Sequence, residues 1–255
     1  MRSDFLITLI GNGSDYWIFM EIQVKENSNC YTSKTQQRLL HELAGIRLIN
    51  DHFFLTGGTA LSVFYLYHRT SEDLDFFTIN YTNLAYISDT LKRTYHDNLS
   101  LIQSSPMFLS CLINGVKVDF VIDPMSETTE PYDCTLKAGK TLKLDLIDNI
   151  SSNKLTAMVS RFEIKDIVDF YYISKTFWNH SKKIFMECYE RARKKEALLD
   201  DPAATAYQLE QSLAFAKSKK DILAPVMKQH IEWDNLESVI TNYIQMVYKL
   251  QQWRE

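Results

Sequence analysis

Asp73 and Asp75 flank Leu74 in a strand-like run that continues into Phe76-Phe77. Alternate residues of a strand share a face, so the two carboxylates project side by side while Leu74 faces the other way. Like charges at that spacing repel unless something positive sits between them. Paired carboxylate oxygens of this kind suit Mg²⁺. Upstream, Gly57-Gly58 ends an apolar strand-like run, Phe53-Phe54-Leu55, and opens a helix-like segment. Glycine lets the backbone approach a ligand closely, and the N–H groups of a helix start favour anions. A phosphate cradle shortly before a metal-binding carboxylate pair points to metal-assisted nucleotide chemistry.

A sheet with helices must hold these residues. Thr35 to Ile49 has helical spacing: Leu39, Leu43 and Ile46 follow i, i+4, i+7, and Leu40 and Ile49 widen the stripe. A second helix is expected from about Thr59 to Tyr67, with Leu61, Phe64, Tyr65 and Leu66 as core, and a third over Asn83 to Tyr95. Met107 to Ile113 and Val116 to Ile122 read as strands joined by Asn114-Gly115, a strong hairpin signal. In the second, Val116, Val118, Phe120 and Ile122 share one face and Lys117, Asp119 and Val121 the other. Pro124 to Lys140 is polar and irregular, with a short strand at Tyr132 to Leu136. Leu142 to Ile147 leads to a helix start at Asp148-Asn149-Ile150. From Ser181 the chain reads as helical, with apolar periodicity over Phe185–Leu199, Ala203–Lys217 and Leu236–Gln252.

The stretch Gly57-Gly58-Thr59-Ala60-Leu61, then His68-Arg69, Ser71 and Asp73-Leu74-Asp75-Phe76-Phe77, resembles the AbiEii/AbiGii toxin group of nucleotidyltransferases, within the DNA polymerase beta-like superfamily. Lys154-Leu155-Thr156-Ala157 and Arg161 through Asp169 resemble that group's later motifs. The resemblance begins near Tyr31. It implies an α+β fold: a polymerase beta-like core, a mixed sheet with flanking helices, followed by a helical C-terminal domain. The domains expected are 1–33 as an N-terminal extension, 34–148 as the core and 149–255 as the helical part. Residues 1–33 are either an added strand over Asp15 to Lys25 or an extension with its natural start at Met20.

The resemblance also implies roles. Asp73, Asp75 and Asp119 would hold Mg²⁺, with two ions about 4 Å apart stabilising the attacking and leaving oxygens. Read from the residues alone, Asp119 is either that third ligand or a solvent-facing strand acid. Gly57, Gly58, the Thr59 hydroxyl and Ser71 would cradle phosphate, and Lys154 would meet the triphosphate of an NTP. Arg69 would either join it or pair with a carboxylate, and His68 is either a ligand or a structural hydrogen-bonder. Asp166, with Lys154, would stand at a cleft edge, or else stabilise a helix N-terminus; Asp169 is open between the same alternatives. The reaction implied is transfer of an NMP from an NTP to an acceptor hydroxyl, tRNA 3′ ends foremost, by a toxin with a cognate antitoxin protein. The alternatives are a non-catalytic nucleotide-binding or interaction module, or transfer onto a protein or small molecule.

The bulk composition is compatible with this. The chain has 255 residues, 45% hydrophobic and 24% charged, enough for one large or two small globular domains. No apolar run is long enough to cross a bilayer, and the apolar patch near the N-terminus is too short for a signal peptide. Cys30, Cys111, Cys134 and Cys188 show no paired spacing and read as reduced thiols of a cytoplasmic protein. A net charge of −4 means that a nucleic-acid partner needs a local basic patch. Lys182-Lys183, Arg191 through Lys195, and Lys217 through Lys220 are either such patches or solvated helix faces.

Overall fold

The computed structural model describes the backbone of residues 5–12, 16–126 and 130–252 and the side chains of 24–126 and 130–250. One compact unit is built on Gln23–Leu146; a second is built on Ile147–Glu255, with which Ile7–Ile22 groups. Strands β1 (Phe5–Asn12) and β2 (Tyr16–Gln23) form a two-stranded sheet of their own. Which way the side chains of that expected added strand face lies outside the described residues.

In the first unit, α1 (Lys34–Ala44) starts where the Ser33 hydroxyl accepts from the Gln36 N–H. It stops at Gly45, whose N–H bonds the carbonyls of Glu42 and Leu43. Ile46 is extended, and α2 (Arg47–His52) starts afresh. The single helix expected over Thr35 to Ile49 is therefore two, because Gly45 ends the first at a point the apolar spacing does not register. Then come β3 (Phe54–Thr56), α3 (Gly57–Ala60), a π-helical continuation over Leu61–Leu66, and β4 (Leu74–Thr78). Helix α4 (Leu84–Tyr95) is capped by Asn83, whose side chain accepts from the Ala85 N–H at 3.1 Å.

The remaining strands are β5 (Leu99–Ser104), β6 (Phe108–Ile113), β7 (Val116–Ile122), β8 (Tyr132–Thr135) and β9 (Thr141–Leu144). Asn114 and Gly115 both have positive φ, 52° and 78°, which is what a two-residue turn between β6 and β7 requires. Seven strands form one mixed sheet in the order β5-β6-β7-β4-β3-β9-β8. Pairs β4–β7 and β3–β9 are parallel; the others are antiparallel. This is the α+β arrangement expected, a mixed sheet with helices. β5 and β9 carry no clear sequence signal. β5 is an edge strand with Leu101 and Ile102 exposed, so it lacks the alternation that burial of one face produces.

The sheet core closes on aromatic rings. Phe120 of β7 stacks on Phe76 of β4 at 5.4 Å between centroids and meets Phe53 edge-on at 5.3 Å. All three are at most 1% exposed. The pair ties together the two strands that carry the acids.

The second unit is helical: α5 (Ile147–Ser160), α6 (Ile164–Ile173), α7 (Lys182–Arg193), α8 (Pro202–Ser218), α9 (Lys220–Leu223) and α10 (Trp233–Gln252). α5 packs against α6, α7 and α8, and α8 against α10. Phe185 stacks on Tyr243 at 4.1 Å, and Phe170 meets both edge-on. Asp201 caps α8 through the N–H groups of Ala203 and Ala204, with Pro202 in the first turn. All four cysteines are buried and none forms a disulfide. Among the described residues no helix is long and apolar enough to cross a membrane.

Phe120→Ala removes a ring packed on both sides in a closed sheet core, so it should lower unfolding free energy by about 3–5 kcal/mol. Chemical denaturation of the purified chain measures this; a loss under about 1 kcal/mol would show that the aromatic cluster does not hold β4 to β7.

Candidate active site

The parallel register of β4 and β7 sets Leu74 opposite Val118 and Asp75 directly opposite Asp119. Parallel neighbours lie about 4.8 Å apart, so two carboxylates from different strands are brought to one place. Asp73, two residues before Asp75, turns to the same place: its Oδ2 lies 4.0 Å from the Lys117 Nζ, which in turn is 2.7 Å from Asp119 Oδ2. The other Asp119 oxygen accepts from the Ser110 hydroxyl at 2.6 Å, Ser110 being its register partner on β6. Asp119 is thus no solvent-facing strand acid; it is 8% exposed and held at both oxygens.

Gly57 and Gly58 lie against these acids. Gly57 has φ +68°, and a Cβ there would stand 2.6 Å from Asp75 Oδ2. At Gly58 a Cβ would stand 2.6 Å from Ser71 Oγ and 2.8 Å from Arg69 Nη2. Five of the residues singled out in the sequence therefore meet around one stretch of backbone. Their loop is braced from α1, where the buried Gln36 donates through Nε2 to the carbonyls of Ser71 and Glu72, each at 2.8 Å. Arg69 is 3% exposed and donates to the Thr70 carbonyl at 2.8 Å, and His68 is fully buried. Thr59 departs from expectation. Its hydroxyl is buried and donates to the Asp73 carbonyl, so it fixes the carboxylate loop.

The donor set suits a hard cation: carboxylate oxygens from two strands beside a backbone that only glycine permits. Among the described residues no three His, Cys, Asp or Glu side chains already converge at ligating distance. The Lys117 ammonium lies between two of these acids, 2.7 Å from Asp119 Oδ2 and 4.0 Å from Asp73 Oδ2. Partial burial opposes its charge, but the hydrogen bond to Asp119 and the charges of Asp119, Asp73 and Asp75 outweigh that and raise its pKa above the usual lysine value. Lys117 and Ser110 were not among the residues read as functional. The alternation of Val116 to Ile122, which puts Lys117 on the Asp119 face, carried the signal for the first.

The family model described as "Nucleotidyl transferase AbiEii toxin, Type IV TA system" matches residues 38–104. The matched segment holds the glycine pair, Arg69, Ser71, Asp73 and Asp75, the residues that carry the resemblance. Among solved structures, the chain is similar to MenT4, a nucleotidyltransferase toxin of Mycobacterium tuberculosis H37Rv, at 13% identity over 84% of this chain and 82% of that one, with a TM-score of 0.57. It is also similar to JHP933 of Helicobacter pylori, at 16% identity over 87% of this chain and 96% of that one, with a TM-score of 0.51. At such identities the likeness is one of fold. No curated protein matches the chain.

The later motifs lie in the helical unit. Lys154 on α5 is 6% exposed, its Nζ 2.7 Å from Asp166 Oδ1 and 2.7 Å from Asp169 Oδ2, both carboxylates fully buried on α6. Arg161, between the helices, bonds the other Asp166 oxygen at 2.9 Å. A buried ammonium between two buried carboxylates thus ties α5 to α6. Several residues of the basic runs have local partners. Arg191 pairs with Asp148, Arg193 with Glu190 and Asp200, and Lys217 with Glu237, at 2.6–3.0 Å. Lys195 donates to Asn149, Ser152 and Asn153.

Lys154→Ala should therefore destabilise the fold by about 3–5 kcal/mol, the loss seen when one partner of a buried ion pair is removed. Burial opposes the Asp166 charge, but Lys154 and Arg161 outweigh it and hold this carboxyl below its ordinary value. Its contribution is then fully present above the unfolded carboxyl value, about 3.9, and is lost as pH falls through the lower folded value. Unfolding free energies of wild type and Asp166→Asn, measured from pH 7 downward, should converge on acidification. A gap that persists unchanged into strong acid would show that the charge is not what Asp166 contributes.

Proposed function

We propose that the chain transfers a nucleoside monophosphate from an NTP to an acceptor hydroxyl, releasing pyrophosphate, as a toxin of a toxin–antitoxin or abortive-infection system. The observation that supports this most is the placing of Asp75 opposite Asp119 beside Gly57. In this reading Asp73, Asp75 and Asp119 hold Mg²⁺. When bound, the ion would neutralise charge on the triphosphate and favour loss of the acceptor proton. The backbone at Gly57 and Gly58, with Ser71 and Arg69, orients the triphosphate. The acceptor oxygen forms a bond to the α-phosphorus as the bond to pyrophosphate breaks in line. Positioning and charge neutralisation supply most of the rate. Thr59 holds Asp73 in place through the backbone.

Lys154 and Asp166 enter the reading under a condition. The ammonium can meet a triphosphate only by exchanging its carboxylate partners for phosphate oxygens. RNA, tRNA 3′ ends in particular, is the acceptor class that the resemblance implies, and an antitoxin protein the partner. A cytoplasmic setting goes with both.

Asp73→Asn and Asp75→Asn should fold, melt within a few degrees of wild type and lose transfer of labelled nucleotide to RNA. Mg²⁺ with NTP should raise the melting temperature of wild type and of neither variant. Each NTP is supplied in turn to total RNA, to protein and to small-molecule hydroxyl acceptors. Normal transfer by either variant would sink the metal role of these acids. Nucleotide binding without transfer to any acceptor would favour a non-catalytic module.

A further inference from the structure

Lys117 has no role in the reaction just described, yet its ammonium faces Asp119 and Asp73. Its Nζ lies 2.7 Å from Asp119 Oδ2 and 4.0 Å from Asp73 Oδ2. Lys117 precedes Asp119 by two residues on β7, so both point to the same face. With Leu74 opposite Val118 and Asp75 opposite Asp119, the register brings Asp73 alongside Lys117. One ammonium thereby lies between Asp119 of β7 and Asp73, the residue just before β4. Asp119 Oδ1 already accepts from Ser110 at 2.6 Å, and Oδ2 is the oxygen that Lys117 holds, so an incoming ion meets the ammonium at the oxygen without the hydroxyl. The lysine side chain is 39% exposed. It can swing into solvent without disturbing the Phe76–Phe120 core.

We infer that Lys117 is a tethered counter-ion occupying the cation position of the Asp73–Asp75–Asp119 site, which a divalent ion must displace, so that this side chain sets the site's metal affinity. The inference rests on the metal-binding reading of the three acids. An ammonium and a divalent ion repel strongly at hydrogen-bond range and compete for Asp119 Oδ2. While the metal is absent, the ammonium offsets the repulsion among the acids. With the metal present, the same charge opposes binding. Lys117 is in this sense a positioning residue: it acts through the ligands and touches no substrate.

The test is Mn²⁺ binding to the purified full chain without nucleotide, followed by electron paramagnetic resonance of the free ion. Wild type, Lys117→Met, Lys117→Gln, Lys117→Arg and Asp75→Asn are compared. Lys117→Met should bind Mn²⁺ about ten-fold more tightly, which corresponds to about 1.4 kcal/mol. It should melt lower than wild type without metal and gain more on adding Mn²⁺. Lys117→Arg keeps the charge and should match wild type. Lys117→Gln removes the charge but keeps a hydrogen-bond donor, and gives the same reading should Lys117→Met not fold. A lysine of merely structural use would lower the melting temperature and leave Mn²⁺ affinity unchanged; that result, or weaker binding, overturns the inference. If wild type binds Mn²⁺ and Asp75→Asn does not, while neither neutral variant binds more tightly, the metal site stands and the inference alone falls. If no protein binds Mn²⁺, both fall. Binding by the neutral variants alone supports the inference in its strongest form.

Discussion

Asp75 and Asp119 sit opposite each other on adjacent parallel strands, and like charges so placed must be compensated. The surrounding residues supply that compensation or hold the geometry that demands it. Lys117 supplies the positive charge, and Ser110 fixes the orientation of Asp119. Behind the acids, Phe76 and Phe120 stack across the same two strands, so the apolar face that stabilises the sheet also locks the register of the polar face. A slip of one residue would turn every side chain over and bury the acids. The carboxylate pair is therefore a consequence of core packing, and it is as stable as that core.

The glycine turn obeys a second constraint, one of space. Gly57 carries a positive φ in a position where a Cβ would strike Asp75, and at Gly58 a Cβ would strike Ser71 and Arg69. Two separate penalties, backbone and steric, exclude larger residues from Gly57. Local elements then hold the loop between the turn and the acids. Gln36 bonds two of its carbonyls from α1, Thr59 a third, and Arg69 a fourth. Such a loop presents its backbone to a ligand in a fixed shape, which is what positioning a triphosphate requires.

Sequence reading reached most of this because the informative residues are adjacent in the chain. The alternation in Val116 to Ile122 and the Asn114-Gly115 turn give β6 and β7 directly, and the i+2 rule gives the common face of Asp73 and Asp75. What it did not give is long-range. The parallel pairing of β4 with β7 follows from no local pattern, and only that pairing sets Asp75 against Asp119. Lys117 was visible on the right face but had no meaning without its partners on β4. β5, exposed along nearly its whole length at the sheet edge, had no periodicity to read. The split between α1 and α2 turned on one glycine.

The two lysines carrying charge toward these motifs differ in what exchange would require. Lys117 is 39% exposed in its side chain, so water can solvate the ammonium as it leaves and the acids as they are uncovered. Lys154 is 8% exposed in its side chain, and its partners Asp166 and Asp169 are fully buried. Withdrawing that ammonium would leave two carboxylates with little water to replace it, a loss of several kcal/mol unless another cation follows. A triphosphate brings negative charge and would worsen that imbalance at Asp166 and Asp169. Arg161 already bonds Asp166 and would carry part of the load there. The physical balance therefore favours Lys117 as the mobile cation of this protein and Lys154 as a fixed one, joining α5 to α6.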